Sequence, residues 1–461
     1  MPRITIHRVL PLELMSKIFV DTLDFINLDC SSSSFQPYDP FCVPPISPSS
    51  APLSLLAVCR TWRFITLGTP ALFTRIFLHG QRLSVNPAVV IPMWLEYSGP
   101  LPLDIVIQPE RWSLDNLLFI TDETHVCRLL NQIYRHNYRI RTLRISEFGS
   151  SLLLGSIQEL QMPFLKELTL AELGSSKYNP YKIPRIVTPN LESLQMICPQ
   201  WDAVIDLDRV VSGPKLRTYR NTSVPQTLPH LVGILRDNFQ LETCILDRWE
   251  SSIGAEVISK SIRLDMPRLR RLHLSEASAA TEQNLHHLVP FLEALKIPVI
   301  EDLKLLSYIQ WDTVTEEQRC SLRHAFHSLF PSNTSSLTTL HIQHFNLMDI
   351  DFVLLFPKMV SLQRLRIVDG GLCDDVIQVL ALPHICPKLV SISLTSLCSD
   401  QTMLVSMLEI RLRTVPCFPT KGLQEIGIFC NGLSQKEQKG LNGLIKKYPG
   451  KSWSVWYPEP E

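Results

Sequence analysis

An α/β solenoid bent into a horseshoe, with a small all-helical module ahead of it, is what the sequence predicts. Three observations predict it. The phrase L-x-x-L-x-L recurs from residue 140 onward, with its first apolar anchor at Ile140, Leu165, Leu191, Leu216, Leu241, Leu269, Ile300, Leu337, Leu362, Leu389 and Leu423; seven of the ten intervals run from 25 to 28 residues. In six copies a proline (Pro163, Pro189, Pro214, Pro267, Pro298, Pro387) stands two residues before the anchor. Ahead of the repeats lie short segments whose apolar residues recur at helical spacing.

The period and phrase are those of leucine-rich repeats, in which L-x-L is a short parallel strand and the remainder returns as helix or loop. A proline before the anchor is expected to stop the preceding helix and to extend the backbone into the strand. The segments 122–137, 281–295, 315–330 and 434–448 gather apolar residues on one face and are expected as return helices. Thr315 with Gln318 and Ser434 with Glu437 have capping-box spacing. Ten of the eleven copies lack an asparagine eight positions after the anchor, the Leu423 copy with Asn431 being the exception, and the Leu216 copy has Tyr219 and Asn221 where apolar residues belong, so the repeats are irregular. Eleven strands at about 4.8 Å spacing would give a ladder roughly 50 Å long, enough to hold a protein segment on a concave face.

Composition excludes several function classes. The chain's 44 Lys+Arg balance 44 Asp+Glu, and 45% of its 461 residues are apolar, as in globular proteins. Zero net charge offers no general attraction to nucleic acid or to an anionic membrane. No apolar run approaches the roughly 18 residues of a membrane span, and the N-terminal residues do not read as a signal peptide, so the expected location is cytoplasm or nucleus. Twelve cysteines are dispersed without a CxxC pair and are read as reduced thiols. Cys373, Cys386 and Cys398, with His384 among them, are too widely spaced for paired zinc ligands, and His286-His287 are adjacent on a predicted helix. Phosphate-loop, nucleophile-elbow, zinc-helix and deaminase patterns are missing, so no enzyme activity, cofactor or metal is expected.

In residues 8–25, Leu14, Met15, Ile18, Phe19 and Leu23 are expected on one face of a helix entered through Pro11. Pro52 is expected to open a second helix that carries Leu53, Leu56, Cys59 and Arg60, and Pro70 a third short turn. Three small helices bury too little to stand alone, so part of their apolar surface should dock elsewhere. These residues resemble the F-box family: Leu10-Pro11, then Val58-Cys59-Arg60-Thr61-Trp62, then Pro70-Ala71-Leu72-Phe73, with Phe73 where that family usually has tryptophan. Residues 94–103 are similar to the W-L-x-x-S-G-x-x-P-L segment that follows the F-box in long, basidiomycete-type fungal F-box-like proteins. Residues 29–50 form a Ser/Pro-rich insertion, expected as a disordered loop. The resemblance implies docking on the Skp-type adaptor of a cullin-RING ubiquitin ligase through Leu10, Pro11, Leu14, Ile18, Phe19, Leu56, Val58, Cys59, Trp62 and Phe73.

The expected organisation is an F-box-like module over 1–80, a linking segment and first cap over 81–136, and irregular repeats over 137–461. Numbering each anchor as position one, position five is the centre of the concave face. Arg144, Arg220, His273, Lys304, His341 and Arg366 stand in that column, which holds no acid. They would favour an acidic or phosphorylated target protein, and the histidines would add charge below about pH 6.5. Two readings of function stand side by side. One is the substrate receptor of a Skp-cullin-F-box ligase. The other is a non-catalytic scaffold whose F-box-like helices only cap the solenoid.

Overall fold

The structure, a computed structural model, describes residues 10–25, 52–79, 87–108, 131–146, 159–171, 185–197, 210–222, 226–250, 262–276, 283–307, 314–330, 336–344, 349–368, 374–395, 401–413, 422–429 and 435–456. The insertion at 29–50, the Ser434 cap, Cys373 and Cys398 lie outside the described residues. The chain forms two compact units, Met1–Leu216 and Arg217–Glu461, both mixed α/β with parallel sheets. That boundary falls inside the segment read from the sequence as repeats.

The first unit opens with α1 (Leu12–Phe25), α2 (Leu53–Val58), α3 (Arg60–Leu67) and a 3-10 turn, Pro70–Phe73. Then follow β1 (Arg75–His79), α4 (Pro87–Tyr97), β2 (Leu103–Gln108), β3 (Ile140–Ser146), β4 (Glu159–Gln161), β5 (Glu167–Ala171), β6 (Arg185–Thr188), β7 (Ser193–Ile197) and β8 (Val210–Ser212). Strands β1-β2-β3-β5-β7 form one parallel sheet, and β4-β6-β8 a small second one. The expected all-helical module therefore runs directly into a strand, because Ile76 and Phe77 are buried and pair with β2. The expected second helix is also two helices. Cys59 is fully extended (φ −160°, ψ 171°), ends α2 and caps α3 by accepting a hydrogen bond on Sγ from the Trp62 N–H (3.4 Å).

The second unit contains β9 (Thr218–Asn221), β10 (Gln226–Thr227), α5 (Leu228–Asp237), β11 (Thr243–Glu250), β12 (Leu264–Asp265), β13 (Arg271–Glu276), α6 (Gln283–Ala294), β14 (Leu295–Lys296), β15 (Asp302–Leu306) and α7 (Glu316–Ser328). It continues through β16 (Thr339–Gln343), α8 (Asp349–Leu355), β17 (Arg364–Val368), α9 (Asp374–Ala381), β18 (Ser391–Thr395), α10 (Gln401–Arg413), β19 (Glu425–Phe429), α11 (Gln435–Lys447) and β20 (Ser452–Trp456). Its main sheet is parallel, in the order β9-β11-β13-β15-β16-β17-β18-β19-β20, with β10 beside β11 and a separate β12-β14 pair. Among the described residues a helix stands between each pair of successive strands of this sheet except β11 and β13, because a parallel neighbour needs a crossover. The Thr315–Gln318 capping box forms at the start of α7.

Sequence periodicity explains the core of each unit. All eleven anchors are buried, and so are both residues of every L-x-L. Period-2 alternation turns positions three, five and seven to the opposite face. The residue after each anchor extends the ladder: the N–H groups of Arg270, Glu301, Thr338, Gln363 and Gln424 each donate to the matching carbonyl one copy earlier, at 2.7–2.8 Å.

The prolines work differently from expectation. The N–H groups of Leu165, Leu191, Leu269 and Leu389 donate to the carbonyls of Met162, Thr188, Met266 and Cys386 at 3.1–3.3 Å, which makes each proline the second residue of a β-turn. Before five of the six prolines the backbone is strand rather than helix, because β4, β6, β8, β12 and β14 satisfy one another's backbone groups in the two small sheets.

Candidate functional site

Two surfaces gather the residues singled out above, one in each unit. On the first, α1 splits its apolar residues between two faces. Met15 and Phe19 are buried, with Phe19 against Trp62 (ring centroids 4.8 Å apart), while Leu14 and Ile18 are 48% and 45% exposed. Thr69 Oγ1 donates to Ser16 Oγ at 3.1 Å, tying α1 to the end of α3. Leu12, Val58 and Phe64 are also exposed, Phe64 at 71%, so α1, α2 and α3 all present apolar side chains to water. Pro11 is exposed, whereas Leu10, Leu56, Cys59 and Trp62 are half-buried.

Phe19 and Phe73 leave the docking set. They are 2% and 0% exposed, so they have no surface to offer a partner. Phe73 instead packs edge-on to Trp94 at 5.4 Å and beside Tyr97 at 5.3 Å. This explains the run Trp94 to Leu103 physically: Trp94 receives Phe73, Gly99 turns the chain with φ +55°, and Leu103 starts β2 fully buried. Arg139 holds the turn from outside it, donating to the Leu95 carbonyl (2.7 Å), Ser98 Oγ (2.9 Å) and the Leu101 carbonyl (3.2 Å). Sequence reading missed Arg139, Leu12 and Phe64. An aromatic on the charged side of α3, beside Arg60 and Arg63, was the available signal for Phe64.

The second surface is the position-five column of the second unit. Strand register aligns Arg220, Ile245, His273, Lys304, His341, Arg366, Ser393 and Gly427 as successive neighbours. Arg144 belongs to the first unit, where Thr169 and Gln195 continue its row, so it is described apart from these. Arg366 is exposed, while Arg220, His273, Lys304 and His341 are half-buried. Arg271 and Arg364 add exposed cations at position three.

Two carboxylates temper the charge. Asp302 Oδ2 lies 3.0 Å from His273 Nε2, in a geometry that makes no hydrogen bond. Burial pushes the Asp247 carboxyl above its usual range, opposed by Lys304, Arg220 and His273. Burial also lowers His341, to about 4, with Arg366, Lys304 and His273 acting in the same direction and Asp302 against it. His341 is therefore neutral at pH 7, and the range in which it adds charge lies below the pH 6.5 of an ordinary imidazole. Its Nε2 is buried without a hydrogen-bond partner.

Among the described residues no group of His, Cys, Asp and Glu is arranged to hold a metal ion. Cys386 is buried, its thiol pushed up to about 12 chiefly by burial, and it donates to the Phe356 carbonyl at 3.5 Å. His384 is exposed and His287 is buried. No helix among the described residues is long and apolar enough to cross a membrane. No protein-family model matches the chain, and no curated protein matches it.

Proposed function

We propose that the protein is a substrate receptor: the N-terminal helices form an F-box-like module that docks on a Skp-type adaptor and through it a cullin, and leucine-rich repeats bind a target protein. The observation that carries this reading is the exposure of the apolar side chains Leu14, Ile18, Val58 and Phe64, on helices whose residues resemble the F-box pattern. Apolar side chains gathered in water at one end of a chain are characteristic of a surface completed by a partner. The scaffold reading needs the Leu14, Ile18 and Trp62 faces folded against the first repeat; the exposure of Leu14 and Ile18 weighs against it, while Trp62 is half-buried against Phe19. Positioning the target is the receptor's contribution, and the ubiquitin chemistry belongs to other subunits.

Titration of purified full-length protein with a Skp-type adaptor tests the reading. Leu14→Ala with Ile18→Ala should weaken binding by about 2 kcal/mol, close to thirtyfold, because a few apolar anchors carry most of such an interface. Both side chains are half exposed, so the thermal unfolding midpoint should move little. Unchanged affinity in the folded double variant would sink the proposal.

A further inference from the structure

The last strand of the second unit's main sheet is unlike the strands before it. Among the described residues β20 pairs only with β19, so no strand lies along its far edge. Trp453 and Val455 stand in register with Ile426 and Ile428 of β19, which are 2% and 1% exposed, yet both are only half-buried. Ile445 of α11, the helix before the strand, is half-buried too. The outer strand of the first unit's sheet differs, for β1 keeps Ile76 at 1%. A terminal repeat ordinarily turns a polar face outward, whereas here three apolar side chains stay partly open to water.

The backbone is open in the same place. The Ser452 N–H donates to the Gln424 carbonyl at 2.8 Å, and alternation along a parallel strand then turns the N–H and C=O of Trp453 and Val455 to the outer edge. Natural edges of this kind are blunted by charges, prolines or bulges. Residues 452–456, Ser-Trp-Ser-Val-Trp, contain neither charge nor proline, and their register with β19 runs unbroken.

Charge selects what can lie there. Residues 435–456 hold five lysines (Lys436, Lys439, Lys446, Lys447 and Lys451) against one acid, Glu437, in a chain whose net charge is zero. Lys447 is engaged by Glu409 at 3.1 Å, while Lys436, Lys439 and Lys446 are exposed. A second copy pairing edge to edge would bring two such lysine clusters together, and like charge opposes it. An extended segment with apolar residues at alternate positions, flanked by acids, suits both the open core and the lysines.

We propose that the outer edge of β20 is a docking site for an extended, acidic segment of a partner protein, which adds a strand to the sheet and covers Trp453 and Val455. Main-chain hydrogen bonds to those two residues hold the segment, its alternate apolar side chains close the core, and its acids meet the lysine-rich end. The surface belongs to the second unit and uses none of the module's helices, so adaptor binding can succeed or fail independently of it.

The experiment titrates the full chain into a fluorescein-labelled peptide library, Glu-Glu-Φ-Ser-Φ-Glu-Glu, with Φ drawn from Val, Ile, Leu and Phe. Matched libraries replace Glu by Lys or carry N-methyl groups on one or the other alternate set of residues, and a dT oligonucleotide controls for charge alone. The acidic library should bind best, more weakly as salt rises, and at saturation should slow hydrogen exchange at the Trp453 and Val455 amides. N-methylation of one alternate set should abolish binding. Lys439→Glu with Lys446→Glu, and separately Val455→Pro, which deletes one outward N–H, should each lose at least about tenfold in affinity. Unfolding midpoints of the variants serve as folding controls. Equal binding of the lysine library, tighter binding of the oligonucleotide, full binding of both N-methylated sets, unchanged affinity in the folded variants, or unchanged exchange at Trp453 and Val455 would each overturn the proposal. So would a concentration-dependent dimer that Val455→Pro abolishes, which makes a second copy the occupant, or binding that appears only once residues 457–461 are removed, which makes the chain its own cover.

Discussion

At the scale of single residues, the second unit contains two polar sites whose cost is visible in the geometry. Tyr219 and Asn221 occupy the apolar positions of their strand, fully buried, and both point at the buried Gln226: Tyr219 Oη donates to Gln226 Oε1 at 2.7 Å and Asn221 Nδ2 to the same oxygen at 3.4 Å. Gln226→Leu removes that acceptor from the buried hydroxyl and should cost about 1–3 kcal/mol in denaturant unfolding. Tyr219→Phe in the same chain should recover part of the loss, a coupling that a double-mutant cycle reads directly. His341 is the second site. Its folded pKa, about 4, lies below the unfolded value near 6.5, so the unfolded chain binds more protons between those limits. Stability from this group is complete above about pH 6.5 and is lost as pH falls toward 4. Asp247, raised above the usual carboxylate range, acts oppositely: its contribution falls as pH rises through its own window. Unfolding free energy should drop less from pH 7 to 4.5 in His341→Gln than in the wild type, and parallel profiles would show that the ring protonates without penalty.

At the scale of elements, the break between α2 and α3 decides how the module's apolar residues are shared out. Were residues 53–67 one straight helix, Val58, Trp62 and Phe64 would follow a single axis; the extended backbone at Cys59 re-aims the chain, so that Trp62 packs on Phe19 while Val58 and Phe64 stay exposed. The thiol that caps α3 is a weak acceptor doing what serine or aspartate usually does. Cys59→Ala should therefore cost about 1 kcal/mol, while Cys59→Ser should retain or slightly raise stability. If both variants unfold at the wild-type midpoint, the 3.4 Å contact contributes nothing and the break is held by packing alone. None of this was legible in sequence, because a 3.6-residue period places Met15 and Phe19 next to Leu14 and Ile18 and only the tertiary partner decides which pair is covered. Arg139 was equally hidden, since its acceptors come from a turn 38 to 44 residues earlier in the chain.

At the scale of the molecule, the strands were legible wherever an L-x-L supplied both anchor and alternation, and the rest was not. Strands β1, β2 and β20 lack the phrase, and β12 and β14, two residues each, are too short to show any period. The position-five column was legible too, because equal register in parallel strands brings equal positions together. Its pairing was not, since Asp302 beside His273 and the burial of His341 depend on side chains from neighbouring strands. The same reasoning says where stability resides. Ion pairs link successive copies at the residue after the anchor, as in Lys166–Glu192 and Arg270–Glu301, both 2.8 Å. Their side chains are 40–61% exposed, and such pairs contribute about 0–1 kcal/mol. Each anchor, by contrast, is sealed between turn and strand, and Leu269, Leu337 and Leu362 are 0% exposed. Glu301→Gln should thus shift unfolding by under about 0.5 kcal/mol, whereas Leu269→Ala or Leu337→Ala should cost about 2–5 kcal/mol through lost burial and the cavity left behind. Raising salt to about 1 M should screen the surface pairs and leave the unfolding midpoint nearly unmoved. A large salt-induced drop, or a Glu301→Gln loss matching that of Leu269→Ala, would mean that the copies are held together by charge rather than by their buried leucines.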